Sequence, residues 1–172
     1  MTLRERLKRI KLLIMDVDGV LTDGKIVFDD QGGELKFFDV QDGLGVVLIK
    51  RVGVKTAIIT AKGSKVVERR AADMQVDHLY QDAEDKTIAF RHLLEESKLK
   101  AEDACFIADE LIDLPVIKLA GLAVAVKNAA PEVKRYAHYI TKRNGGQGAV
   151  REVIEMILKA QGEWRRATEK YI

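Results

Sequence analysis

The sequence is poor in the residues that would place it in several large classes. It has one cysteine, Cys105, so no internal disulfide can form and nothing argues for an oxidising compartment. A cytoplasmic protein is expected. Cys105 lies in the apolar run Ala104-Cys105-Phe106-Ile107-Ala108 with no activating cation beside it, and reads as a buried structural thiol. No apolar stretch approaches the roughly 18 residues that span a bilayer. The basic-then-apolar start, Leu3 to Ile14, is too short for a signal peptide and is interrupted by Asp16 and Asp18. A soluble chain without a membrane partner is expected. Charge of one sign is lacking too: 29 Lys and Arg stand against 27 Asp and Glu, which excludes the basic footprint of a nucleic-acid binder. His78, His92 and His138 are scattered without ligand spacing and read as surface or edge positions. Repeats, linkers and low-complexity tracts are absent, and 172 residues suit one domain with a real core, spanning 1-172.

What the chain does have is alternation. Leu12 to Met15 is a short apolar run too short for a helix, the pattern of a strand buried on both faces of a parallel sheet. Further strands are expected at Val54–Thr60, Val76–Tyr80, Ala104–Ala108, Leu122–Val126 and His138–Thr141. Helices are expected from Asp42 to about Lys50, from Ser64 to about Ala72, over Glu84–Ser97, Leu111–Ala120 and Pro131–Ala137, and from Ala149 to about Ala160 with Gly162 closing it. Strands alternating with helices predict an α/β fold, a doubly wound (Rossmann-like) parallel sheet. One element breaks the alternation, a protruding β-hairpin over about 25-39 around Gly32 and Gly33. It is too small for a cap domain.

Four strand ends carry polar groups: Asp16 with Asp18, Thr60, Lys86 a few residues past a strand, and Asp109 with Asp113. Parallel topology gathers such ends at one sheet edge, where open α/β sheets bind ligands. Carboxylates beside one lysine and one hydroxyl suit Mg²⁺ and a phosphoryl group, because magnesium takes few carboxylates and shares phosphate oxygens. A carboxylate can attack phosphorus, and a second acid can protonate the leaving alkoxide and later deprotonate water. Asp16 and Asp18 point the same way only if the strand runs through both; if Gly19 already bends the chain, Asp18 offers its backbone carbonyl instead. An EF-hand is excluded, since Gly19 and Val20 stand where that loop needs a third oxygen ligand. Singly, Thr60 could merely end a strand and Lys86 could be a surface lysine. The ordered set is more specific.

That set, Asp16-Val17-Asp18-Gly19-Val20, Thr60, Lys86 and Asp109-Glu110-Leu111-Ile112-Asp113, resembles the haloacid dehalogenase superfamily of phosphatases. The resemblance extends to its 3-deoxy-D-manno-octulosonate 8-phosphate (KDO 8-phosphate) phosphatases. It is carried by Leu21-Thr22-Asp23-Gly24, by Phe38 to Gly45 and by Arg143 to Glu152, so it covers nearly the whole chain. It implies a capless Mg²⁺-dependent phosphatase of lipopolysaccharide precursor synthesis that frees a sugar acid through an aspartyl-phosphate. By the same resemblance Asp16 is nucleophile and metal ligand, and Asp18 is the general acid/base that ligates magnesium through its carbonyl. Thr60 and Lys86 hold the phosphoryl group, Asp109 completes the metal site and Asp113 supports it. Substrate contacts map onto Asp18, Asp39, Val40, Gln41, Asp42, Gly43, Val47, Lys62, Arg70 and Lys86. A homotetramer is implied, with hairpins of several subunits pairing over one another's sites, which would also cover apolar Ile26, Phe28, Leu35 and Phe37. The tail, about 162-172, is either a frayed terminus or reaches a neighbouring site.

The chain departs from the family pattern at three places. Asp39-Val40-Gln41-Asp42-Gly43 stands where Asn-Val-Arg-Asp-Gly is usual, Thr60-Ala61-Lys62 for Thr-Gly-Arg, and Ala108-Asp109-Glu110 for Gly-Asp-Asp. The phosphoryl machinery survives all three, but two arginine forks for a sugar carboxylate are missing. A phosphatase of a nonulosonate 9-phosphate (KDN or sialic-acid type) is therefore the alternative. More distant are a receiver-like signalling module, disfavoured by the order of its acids, and a catalytically weakened scaffold. The Gly145 to Gly148 loop reads either as a phosphate loop or a structural turn, without a catalytic role.

Overall fold

The structure, a computed structural model, describes residues 1–172. Its centre is β1 (Leu12–Met15), buried throughout and hydrogen-bonded in parallel on both sides. On one side lie β4 (Lys55–Ile59) and then β5 (His78–Tyr80); on the other lie β6 (Ala104–Ala108), β7 (Leu122–Ala125) and β8 (Tyr139–Ile140). The order β5-β4-β1-β6-β7-β8 is all parallel, so this is the expected doubly wound α/β sheet. Strand order reverses direction between β1 and β6, which is where such sheets open a crevice at their carboxyl ends. Leu12 and Leu13 sit opposite Lys55 and Thr56 on one side and Ala104 and Cys105 on the other, so the neighbouring strands leave the core together.

Helices cover both faces. α2 (Val40–Arg51), α7 (Ala149–Gln161), α1 (Leu3–Arg9) and α8 (Trp164–Thr168) pack together, as do α4 (Lys86–Ser97), α5 (Leu114–Ile117) and α6 (Pro131–Tyr136); α3 (Lys65–Asp73) follows β4. One continuous cluster of 44 buried apolar residues fills the space between. Cys105 is fully buried within it, and burial pushes its thiol far above the ordinary range, in line with a structural role.

Several boundaries differ from the sequence pattern. α2 begins at Val40 and not at Asp42, because the Asp39 carboxylate accepts the Gln41 amide at 2.6 Å and caps the helix earlier. The helix expected over Leu111–Ala120 shrinks to a 3₁₀ turn (Leu111–Asp113) and the single turn of α5, as the Leu119 and Ala120 amides both close on the Val116 carbonyl. α1 was not anticipated; it is held by a Thr2–Glu5 capping box. Hairpin strands β2 (Val27–Phe28) and β3 (Glu34–Leu35) form only a two-residue ladder, its turn fixed by Asp29 accepting the Gln31 and Gly33 amides. The tail is not frayed. α8 buries Ala167 and Thr168, and Arg51 bonds both the Ala167 carbonyl and the Tyr171 hydroxyl at 3.1 Å. No helix is long and apolar enough to cross a membrane.

Candidate active site

The ends of β1, β4 and β6 converge on a cleft of about 280 Å³ lined by Asp16, Asp18, Thr60, Lys62, Lys86 and Asp109 among others. Asp16 is the first residue past β1, where its amide still bonds the Ile107 carbonyl of β6 at 3.1 Å. Its side chain is only 8% exposed, a cost that must be met by a partner. The partner is Lys86, the first residue of α4, whose ammonium lies 2.8 Å from Asp16 Oδ1 and 2.6 Å from Asp113 Oδ1. Asp113 is wholly buried in the 3₁₀ turn after β6, and Thr60 is buried at the end of β4.

Charge in this cluster is out of balance. Asp16, Asp109 and Asp113 bring carboxylate oxygens within 4.8 Å of one another, and one ammonium answers them. Burial pushes the Asp109 carboxyl up to about 8, reinforced by Asp16 and Asp113, and pushes Asp16 up to about 6 despite Lys86. Burial alone would pull the Lys86 ammonium down, but Asp16 and Asp113 outweigh it and hold it above its ordinary value. Asp109 Oδ1 is buried without any hydrogen-bond partner. An orphaned oxygen among three converging carboxylates is what a hard divalent cation such as Mg²⁺ fits.

The chain bends sharply to leave this space. Gly19 has φ +88°, and a Cβ there would lie 1.9 Å from Asp109 Oδ2, so only glycine lets the β1 loop pass the acid. Gly145 and Gly146 buttress that loop: a Cβ on Gly145 would strike the Gly19 carbonyl at 1.7 Å, and the Gly146 amide bonds Val20. The loop is therefore a structural turn. Asp18 lies past the strand, one-third exposed, and is not among the three clustered acids.

Comparison with known proteins follows the same lines. Residues 70–154 match the model of the haloacid dehalogenase-like hydrolases, a span holding Lys86, Asp109 and Asp113 but not Asp16, Asp18 or Thr60. The 3-deoxy-D-manno-octulosonate 8-phosphate phosphatase of Yersinia pestis is 44% identical over 95% of this chain and 88% of its own length. That of Escherichia coli strain K12 is 46% identical over 91% and 83%. The crystal structure of the Moraxella catarrhalis enzyme of that name, in complex with magnesium, phosphate and KDO, superposes with a TM-score of 0.95 at 39% identity, covering 98% of this chain and 97% of that one.

The chain belongs to the KDO 8-phosphate phosphatase family of haloacid dehalogenase-like hydrolases. It is a phosphoric monoester hydrolase with a Mg²⁺ site.

The remaining residues singled out from the sequence fall into two groups. Lys62 lines the cleft, half-exposed, with its ammonium 5.4 Å above the Phe28 ring. Asp39, Val40, Gln41, Asp42, Gly43, Val47 and Arg70 do not line it. They sit on α2 and α3, where Arg70 bonds the Asp39 carbonyl at 2.9 Å and covers Gly43 so closely that a Cβ would meet its guanidinium at 2.4 Å. Gln41 accepts from Arg143 at 2.8 Å. Asp42 points inward: its Oδ1 accepts the Arg151 amide in the first turn of α7 at 2.7 Å, a helix cap supplied from another helix.

One residue was missed. Lys36 reaches from the hairpin to Asp18 at the cleft's edge, its side chain 2% exposed, and bonds Asp18 Oδ1 at 2.6 Å with Glu34 at 3.1 Å. Glu34 in turn accepts from Ser64 Oγ at 2.6 Å, tying the hairpin to the start of α3. The signal was present: in Glu34-Leu35-Lys36-Phe37 the period of two puts both charges on one face and both apolar side chains on the other. The ribbon turns these charges inward, against the usual expectation for a hairpin.

Proposed function

We propose that the protein hydrolyses KDO 8-phosphate to the free sugar acid and phosphate. The observation that carries this reading is the Asp16–Lys86–Asp113 contact at the sheet's switch point, with Asp109 orphaned beside it. Family membership over nearly the full chain, and KDO bound in the Moraxella relative, support the octulosonate over a nonulosonate.

Asp16 attacks phosphorus, forming an acyl phosphate as the sugar oxygen leaves with a proton from Asp18; Asp18 then takes a proton from water, which releases phosphate and regenerates Asp16. Splitting the displacement makes two easier steps, and a placed acid/base contributes about 10²–10⁴-fold. Lys86 and Thr60 orient the phosphoryl group. Asp16, Asp109 and the Asp18 carbonyl would hold Mg²⁺, with Asp113 in support, and the ion when bound supplies charge neutralisation at the phosphoryl oxygens. The Ala108-Asp109-Glu110 departure leaves this set whole, since Glu110 turns to accept its own neighbour's amide, Leu111, at 2.7 Å.

We read residues 1-172 as one capless unit working in the cytoplasm as a homotetramer. Hairpin apolar residues Ile26, Phe28 and Phe37 are each more than half exposed, and the substrate residues on α2 lie outside their own cleft. Both features are accommodated if hairpins of several subunits pair, each covering a neighbour's site, and the neighbouring copy brings Asp39 to Gly43, Val47 and Arg70 to the cleft that holds Asp18, Lys62 and Lys86. A monomer by light scattering at micromolar concentration overturns the assembly. Magnesium-dependent phosphate release from octulosonate, nonulosonate and hexose phosphates tests the substrate: KDO 8-phosphate should have the highest kcat/KM. Asp16→Asn should abolish turnover with the fold intact, and retained hydrolysis refutes the nucleophile.

A further inference from the structure

Far from the catalytic edge, at the amino ends of β1 and β4, lies an open surface depression of about 710 Å³. Val52 and Ala160, half-buried, give it a small apolar surface beside the nearly buried Ile10 and Val54, while Arg4, Lys8, Arg9, Lys11 and Lys159 supply cations. The lone carboxylate on it, Glu163, is engaged by Arg166 Nε at 2.8 Å. Arg4, Lys8 and Arg9 have no ion-pair partner, whereas Lys11 lies 3.8 Å from Asp103 and Lys159 2.7 Å from Glu155.

Ordinary structural needs do not account for this concentration. The whole chain carries only +2, so its composition does not require cations to crowd together. Arg4 and Lys8 stand four apart on α1, a like-charge spacing that opposes the helix. Cations often serve the carbonyls at a helix C-terminus. Here the Leu7 and Ile10 carbonyls already accept from Gln161 Nε2 at 3.1 and 2.8 Å, and Arg6 is turned away to the Gly121 carbonyl. A backbone donor joins the set: Val54, 6% exposed, has an amide that bonds no group of the protein. Cations and a free amide beside a small apolar surface, in an open depression of this size, match a phosphorylated small molecule with an apolar portion.

We propose that this depression binds a multiply charged phosphate ester of nucleotide size, its phosphates among Arg4, Lys8, Arg9 and Lys11 and its apolar part against Val52 and Ala160. Lys159 lies 5.0 Å from the ring of Trp164, the chain's only tryptophan, so occupancy should change its fluorescence.

The test is a titration of the intact protein with ATP in excess EDTA, followed by Trp164 fluorescence and calorimetry, with phosphatidylglycerol vesicles in parallel. EDTA withholds divalent metal, so the three catalytic carboxylates, answered by Lys86 alone, disfavour the anionic probe. Saturable ATP binding should weaken at least about tenfold in Arg4→Ala/Arg9→Ala and with rising salt, and persist in Asp16→Asn. Both arginines are exposed, so circular dichroism of the double variant should match the parent and its phosphatase activity should be unchanged. Binding to vesicles but not to ATP, equally sensitive to the double substitution, assigns the phosphate ester to a lipid headgroup. Binding of neither probe, binding that survives Arg4→Ala/Arg9→Ala, or binding lost in Asp16→Asn overturns the proposal.

Discussion

Asp42 shows how a single side chain serves the fold at a cost. Its carboxylate caps α7 through the Arg151 amide, but Oδ2 is buried without a partner and burial raises its pKa to about 6. An acid whose folded pKa lies above the ordinary 3.8 favours folding when protonated; the fold loses that contribution as pH climbs from about 4 through about 6. Asp42→Asn keeps an acceptor and cannot ionise. Its stability relative to the parent should therefore rise by about 2–3 kcal/mol between pH 4 and pH 7, measured by urea unfolding at each pH. A pH-independent difference would remove burial as the cause. The same residue marks a limit of sequence reading. Asp16, Thr60, Asp109 and Asp113 were legible because short apolar runs end in them, and a buried strand can release polar groups only at its edge. Asp42 and Lys36 were not, because which way a side chain turns depends on α7 and on Asp18, partners 109 and 18 residues away.

At the scale of elements, the α/β alternation was legible because strand and helix periods differ. What was missed are the pieces whose stability is tertiary. α8 has no strong pattern of its own; it exists because Trp164 lies within reach of Arg151 and Lys159, and because Arg166 bonds the Val52 carbonyl at 3.1 Å. Ending the chain at Gly162 should lower stability by at least about 1 kcal/mol, about 2–4 °C in Tm for a chain of this size, read by far-ultraviolet circular dichroism. An unchanged Tm would return the tail to a frayed end. The hairpin is the opposite case, holding charges inward and apolar groups outward. Lys36→Met should lower kcat at least about tenfold, since Asp18 then loses the contact that fixes its carboxylate. A kcat within twofold of the parent in the phosphate-release assay would reduce Lys36 to a structural ion pair.

For the whole molecule, the fold and the acids oppose each other. Strands β4, β1 and β6 are buried almost throughout and also end in the polar cluster, so the charges there act on the core's own stability. In the metal-free protein burial pushes Asp109 up to about 8 and Asp16 up to about 6, both above the ordinary 3.8. Raised acids favour folding when neutral, so the metal-free fold is most stable below about pH 4 with respect to this pair, and loses that stability as pH rises through about 6 and then about 8. Magnesium binds the ionised carboxylates and stabilises only the folded form that gathers them. The gain in Tm from adding magnesium over EDTA should consequently be larger at pH 8 than at pH 5.5, where protons compete for the same oxygens. Asp109→Asn should shrink the gain at pH 8 most, as it removes the acid with the highest pKa and the orphaned oxygen. Scanning calorimetry at both pH values decides it: an equal magnesium shift at pH 5.5 and 8 would mean that the ion binds elsewhere than among Asp16, Asp109 and Asp113.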